Sequence, residues 1–221
     1  MSQVRALLFD TFGTLVDWRT GLITQLEQWG RARNIVADWP GLVMAWRRDH
    51  VGALAKVRTG QAEWANLDQL QAETLRQLAP RFGLPTLSDD TLDELARMWH
   101  ELPAWPETVE ALARLRAKYL VAPLSNGHVA LLMRLARAAG ITFDAVFGAD
   151  VFRQYKPDRK PISVPSSCSD VHRARSCSWR RMPRILRRLR HAVCTPALSP
   201  GRWSTAPVSW WSSRPPKEVS T

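Results

Sequence analysis

Three short stretches carry residues that could do chemistry together: "FDTFGT" at residues 9–14, "LSNG" at 124–127 and "YKPD" at 155–158. Asp10 places a carboxylate at the end of an apolar run, where a side chain can act as a nucleophile. Gly13 lets the chain turn tightly, so that backbone amides can face an anionic group. Thr14 can orient the carboxylate through its hydroxyl. Ser125 and Asn126 supply neutral donors, and Lys156 supplies a cation that would keep Asp10 ionised and hold a substrate anion. Taken singly, each has an ordinary explanation. Asp10 could be a helix cap, Thr14 and Asn126 turn formers, and Lys156 a solvated side chain. It is the ordered set, on suitable elements, that points to a site.

The elements that must position this set can be read from hydrophobic periodicity. Val4 to Phe9 is an apolar run of strand length. From Gly21 the spacing becomes helical, with Leu22, Leu26 and Trp29, then Leu42, Val43 and Trp46, and helical patterning continues from Trp64 through Leu67 to Phe82. Ser88 can cap a helix whose first turn holds Asp89 and Asp90. Pro106, taken as a first-turn proline, opens a helix over Glu107 to Ala117. Tyr119 to Leu124 reads as a second strand, Val129 to Ala139 as a helix closed by Gly140, and Ala145 to Phe147 as a third strand. Strands alternating with helices predict an α/β fold with a parallel sheet, and a long helical stretch is inserted after the first strand. Ligands of such sheets bind beyond the carboxyl ends of the strands, where Asp10, Ser125 and Asn126 would meet.

Composition adds a boundary. The net charge of +11 is confined to the last part of the chain: residues 1–158 carry 18 Lys+Arg against 18 Asp+Glu, and residues 159–221 carry 13 against 2. Cys168, Cys177 and Cys194 all fall in that last part, without the spacing of a zinc site or a disulfide framework. No apolar run approaches 18 residues and no cleavable signal pattern follows Met1, so a soluble, cytoplasmic protein without a membrane partner is expected. The tryptophans at 29, 39, 46, 64, 99 and 105 read as helix packing, Asp17 and Trp18 as hinge or rim residues, and His128 as a residue capping or decorating a helix start.

The stretches "FDTFGTLVD", "LSNG" and "YKPD", in this order with a helical insertion after the first, resemble the haloacid dehalogenase superfamily, and within it the type II 2-haloacid dehalogenase branch. The resemblance covers residues 4–158. It implies a Rossmann-like parallel-sheet core from residues 1–15 and 100–158, with an inserted α-helical cap from residues 16–99. By the same resemblance Asp10 is the nucleophile, oriented by Thr14, and the amides of Thr11 and Phe12, with Ser125 and Asn126, hold the substrate carboxylate. Lys156 balances charge beside Asp10. Arg47, in "AWRR", takes the departing halide, with Arg48 as its neighbour. Phosphatases of the superfamily need a second acid two residues after the nucleophile; here that residue is Phe12, which can donate no proton but can wall an apolar pocket. The resemblance therefore implies hydrolysis of a small-molecule 2-haloacid through an aspartyl ester, with no metal or cofactor required and a homodimer as a compatible assembly. A phosphatase of the same superfamily is the runner-up.

After Asp158 the pattern breaks into "RKPISVPSSCSDVHRARSCSWRRMPRILRRLRH". The family would continue with a helix and a strand ending in polar and acidic residues. Reading the codons one base out of frame turns Trp179-Arg180 into alanine where Arg180 has a CGN codon, and Met182-Pro183 into alanine with no freedom. Allowing third-base choice, "RKPISV" can hide Pro-Glu-Ala-Tyr-Leu-Gly, and "SCSWRRMPRIL" an apolar strand followed by an acid. Residues 159–221 are thus expected to be a frameshifted reading, and an impaired enzyme is expected with it. The other account of this tail is a basic nucleic-acid-binding segment without catalysis, favoured by "RRMPRILRRLRH" and disfavoured by the abrupt boundary.

Overall fold

The computed structural model describes residues 6–156. Two strands form the sheet among these residues: β1 (Ala6–Phe9) and β2 (Leu120–Pro123), parallel, with Ala6 beside Leu120 and Phe9 beside Pro123. Four helices lie between them in the first part of the insertion: α1 (Trp18–Ala32), α2 (Trp39–Arg58), α3 (Leu67–Leu78) and α4 (Asp89–Arg97). Then come α5 (Thr108–Arg116) before β2, and α6 (Val129–Ala138) and α7 (Ala149–Phe152) after it. This is the α/β arrangement the periodicity predicts, with a parallel sheet and a long helical insertion after its first strand.

Local chemistry explains the helix starts. Asp17 caps α1 by accepting from Thr20 N–H at 3.1 Å, and Asp38 caps α2 by accepting from Gly41 N–H at 2.9 Å. Asn66 and Gln69 exchange side-chain and backbone bonds in a capping box that starts α3. Ser88 caps α4, with Asp89 and Asp90 in its first turn, as the sequence indicates. Gly140 closes α6 in the left-handed conformation, also as expected.

Each helix then buries one stripe. Trp18, Leu22, Leu26 and Trp29 of α1 face Leu42, Val43 and Trp46 of α2 within one continuous core that also takes in Leu75, Leu95 and Trp99. Burying each large apolar side chain contributes about 1.5–3 kcal/mol, which holds the insertion together without any propensity argument. Trp46 and Trp99 are fully enclosed, and Trp46 Nε1 donates to the Gln71 carbonyl at 3.0 Å.

Three sequence expectations need correction. Residues 145–147 do not form a strand; a single bridge joins Leu124 to Phe147. Backbone bonds still reach β2, from Asp144 N–H to the Val121 carbonyl and from Phe147 N–H to the Pro123 carbonyl. But Pro123 has no N–H to return, and Val121 N–H donates at 2.8 Å to the Asp144 side chain, so no regular ladder forms. Trp64 to Asn66 are not helical, because Asn66 is the cap from which α3 starts. Pro106 precedes the cap residue Glu107 instead of standing inside the first turn of α5. The basic tail at 159–221 and the acid Asp158 lie outside the described residues.

Candidate active site

Asp10 stands immediately beyond β1, and Leu124 extends β2 by donating its N–H to the Phe9 carbonyl at 2.8 Å. Both strand ends therefore open on the same side, as parallel strands require. After Asp10 the chain folds back on itself: Thr14, Leu15 and Val16 all donate to the Thr11 carbonyl, and Gly13 N–H donates to Val16 at 3.0 Å. Gly13 makes this possible with φ at +89°, a conformation costly for other residues. The N–H groups of Thr11 and Phe12 donate to no acceptor among the described residues.

The expected residues converge here. Lys156 Nζ donates to Asp10 Oδ1 at 2.8 Å and also to the Leu124 carbonyl. Thr14 Oγ1 donates to Asp10 Oδ2 at 3.4 Å. Asn126 makes no hydrogen bond to Asp10; its side chain instead brackets Lys156, accepting from the lysine N–H at 2.7 Å and donating to its carbonyl at 3.4 Å. Ser125 is buried and accepts from Gly127 N–H at 3.3 Å, which fixes the turn after β2. Phe12 is buried with its ring edge-on to Trp99, 5.8 Å between centroids.

Two arginines compete in the sequence for one role, and they point different ways. The Arg47 guanidinium lies over the rings of Trp18 (5.4 Å) and Trp99 (6.0 Å). Burial pulls its pKa down, and the negative charge of Asp10 pulls it part of the way back. Arg48 is exposed and pairs with Asp49 at 2.7 Å. The sequence held a signal for this: Val43, Arg47, His50 and Leu54 share the spacing of the buried stripe of α2.

Sequence reasoning read Trp99 only as packing, and it does pack, but it also organises this wall. Its ring meets Phe12 and Trp46 edge-on, and stacks on Trp18 at 6.1 Å and on His50 at 6.0 Å. His50 lies beneath it, its pKa pushed down to about 3 by burial first and by Arg47 second. The imidazole is neutral and adds no second cation next to Arg47.

A second polar cluster lies beside the site. Asp68 Oδ1 is 2.8 Å from His100 Nε2, and its Oδ2 is 3.5 Å from His128 Nε2. His128 holds the cap position of α6 without capping it. Burial, outweighing the attraction of Asp68, lowers its pKa. These three donor sets lie within 4.8 Å of one another and could hold a divalent metal ion. However, 2.8 Å is a hydrogen-bond length, and ligating histidines ordinarily donate their other ring N–H. Here both Nδ1 atoms are buried with no partner among the described residues. The cluster is better described as a carboxylate shared by two imidazoles.

Residues 4–163 match the family model of haloacid dehalogenase-like hydrolases. The chain belongs to that family. A curated relative, (S)-2-haloacid dehalogenase 1 of Pseudomonas sp. strain CBS-3, is 29% identical over 180 residues, covering 80% of this chain and 76% of its own length. A solved L-2-haloacid dehalogenase is 43% identical with a TM-score of 0.68, covering 71% of this chain and 66% of that one. The L-2-haloacid dehalogenase from Xanthobacter autotrophicus, solved with chloropropionic acid covalently bound, is 26% identical with a TM-score of 0.61, over 70% of this chain and 60% of that one. The chain thus spans less than two thirds of these two solved relatives. The α/β fold of the haloacid dehalogenase-like hydrolases agrees with the strand and helix order described above. No helix among the described residues is long and apolar enough to cross a membrane.

Proposed function

We propose that this chain acts on short 2-haloalkanoates, replacing the halogen at C2 by a hydroxyl group. In this reading an oxygen of Asp10 attacks C2 of the substrate. The C–halogen bond breaks with its electron pair, the halide departs toward Arg47, and an ester joins Asp10 to the substrate carbon. Water then attacks the ester carbonyl, the C–O bond to the enzyme carbonyl breaks, and the 2-hydroxy acid leaves with one proton released to solvent. The idle amides of Thr11 and Phe12, with Ser125, would hold the substrate carboxylate. Lys156 would keep Asp10 ionised.

One observation carries the choice of reaction. The residue two places after Asp10 is Phe12, buried edge-on against Trp99, where a leaving alkoxide would need an acid. A halide leaves as a stable anion and needs no proton. Support comes also from relatives named as (S)- and L-2-haloacid dehalogenases. The test measures chloride release from (S)-2-chloropropionate against phosphate release from a phosphate monoester, with and without magnesium. Chloride release that Asp10→Asn abolishes supports the reading, and phosphate release alone would end it.

The tail bears on how active the chain is. Residues 159–221 lack the strand-like pattern and following acid that the resemblance leads one to expect, so weak turnover follows from the same reading. Its origin is tested by sequencing the gene across codons 150–170, where a one-base deletion near codon 159 is expected. Salt-dependent retention of nucleic acid on a filter would favour the basic binding alternative instead. Homodimer formation belongs to this proposal too, and is tested by sedimentation.

A further inference from the structure

The link from α2 to α3 leaves the inserted helices and grips the loops that carry Lys156. Trp64 stacks its ring on Tyr155, 4.8 Å between centroids with the planes 22° apart. The next residue, Ala65, accepts the Tyr155 hydroxyl on its carbonyl at 2.6 Å. Three residues further, Asp68 reaches His128 at 3.5 Å while holding His100 at 2.8 Å. Tyr155 directly precedes Lys156, and His128 follows Asn126 by two residues. Asn126 is the side chain that holds both backbone groups of Lys156. One short segment therefore touches the neighbours of both partners in the Asn126–Lys156 clasp, from outside the sheet.

We propose that Trp64, Asp68 and Tyr155 are positioning residues for Lys156, fixing its backbone so that the ammonium reaches Asp10. A lysine has a flexible stem whose ordering costs rotamer freedom, and an unanchored backbone would add to that cost. Simple packing would not require the polar contacts. Packing alone would be served by phenylalanine at position 155, and Asp68 could serve His100 alone. Instead the hydroxyl is short-bonded to a carbonyl, and the second carboxylate oxygen is aimed at the loop carrying Asn126. The effect on turnover rests on the reading of Asp10 as nucleophile, whereas the positioning of the amine does not.

The test is chemical labelling of amines in the full chain with a limiting acetylating ester, read by peptide mass spectrometry at Lys156. The exposed Lys56 and Lys118 serve as internal references. Tyr155→Phe keeps the ring stack and removes the hydroxyl, and Asp68→Asn keeps the shape and removes the charge. Tyr155→Phe is expected to raise labelling of Lys156 relative to the references by about fivefold, the factor that goes with losing one hydrogen bond, and Asp68→Asn by a smaller factor. Trp64→Ala is expected to raise it further. Unchanged relative labelling in variants with unaltered circular dichroism overturns the proposal. So does a parallel rise at all three lysines, which marks general loosening. Labelling needs no substrate, so a failed dehalogenase reading and a failed positioning role give different results. If chloride release is measurable, Tyr155→Phe is expected to lower kcat with little change in KM.

Discussion

Lys156 Nζ lies 2.8 Å from Oδ1 of Asp10, joining residues 146 positions apart in the chain at the mouth of the sheet. Both side chains are about one third exposed, so the pair itself adds no more than about 1 kcal/mol to stability. Lys156→Met is therefore expected to leave the urea midpoint nearly unchanged while lowering turnover by about 100-fold. A loss of stability in proportion to the loss of turnover would show the pair to be structural.

Asp10→Asn is expected to reduce halide release by more than roughly 10,000-fold, because no other carboxylate among the described residues stands at the end of β1 to attack in its place. Repeated turnover in water enriched in heavy oxygen should place the label in the Asp10 carboxyl group, detected by mass spectrometry of the 6–19 region. Label found only in the hydroxy acid product would mean that water attacks C2 directly.

Arg47 and Arg48 should separate cleanly. Arg47→Met removes the cation that lies over Trp18 and Trp99 and is expected to lower kcat/KM by about 100-fold. Arg48→Met breaks only an exposed pair with Asp49 and is expected to stay within about twofold of the parent. Equal losses in the two variants would contradict the geometry of α2.

Gly13→Ala forces a side chain into φ +89°, at a cost of about 1–2 kcal/mol, and brings its Cβ to 3.3 Å from Trp18 Nε1. A lowered melting temperature is expected, together with a drop in activity larger than the stability loss explains, since the turn carries the Thr11 and Phe12 amides. Thermal unfolding and initial rates on the same sample check both.

His50 gives the chain an acid sensitivity. Its folded pKa of about 3 lies below the ordinary 6.5, so the unfolded chain takes up the proton first. Stability is full above about pH 6.5 and is lost as pH falls toward 3. His50→Phe keeps a ring against Trp99 and is expected to reduce the stability lost between pH 7 and pH 4 by about 3 kcal/mol, measured by urea unfolding at each pH. An identical acid profile in the variant would show that His50 is not the group responsible.

The order Asp10, Thr14, Ser125, Asn126, Lys156 was legible in the sequence because each residue sits at the end of an apolar run or in a turn, and both leave short-range marks. The helix starts at Ser88 and the stop at Gly140 were legible for the same reason: caps act over three or four residues. The third strand misled because three apolar residues look alike whether or not a ladder forms beside them. The ladder is interrupted on the β2 side: Pro123 has no N–H to offer, and the Asp144 carboxylate, held by Arg116 at 2.7 Å, takes the Val121 N–H, an exchange no local pattern announces.

The sequence by itself determined that a carboxylate ends the first strand, that no acid follows two places on, and that a lysine stands in a later loop. These are properties of residue type and order. Only the tertiary structure decided that Arg47 and not Arg48 lies over Trp18 and Trp99, that Trp99 ties Phe12, Trp18 and His50 into one wall, and that Trp64 clasps Tyr155. Periodicity tells which face of a helix is buried. It does not tell which distant side chain that face will meet, because such a contact is made by folding two remote segments together.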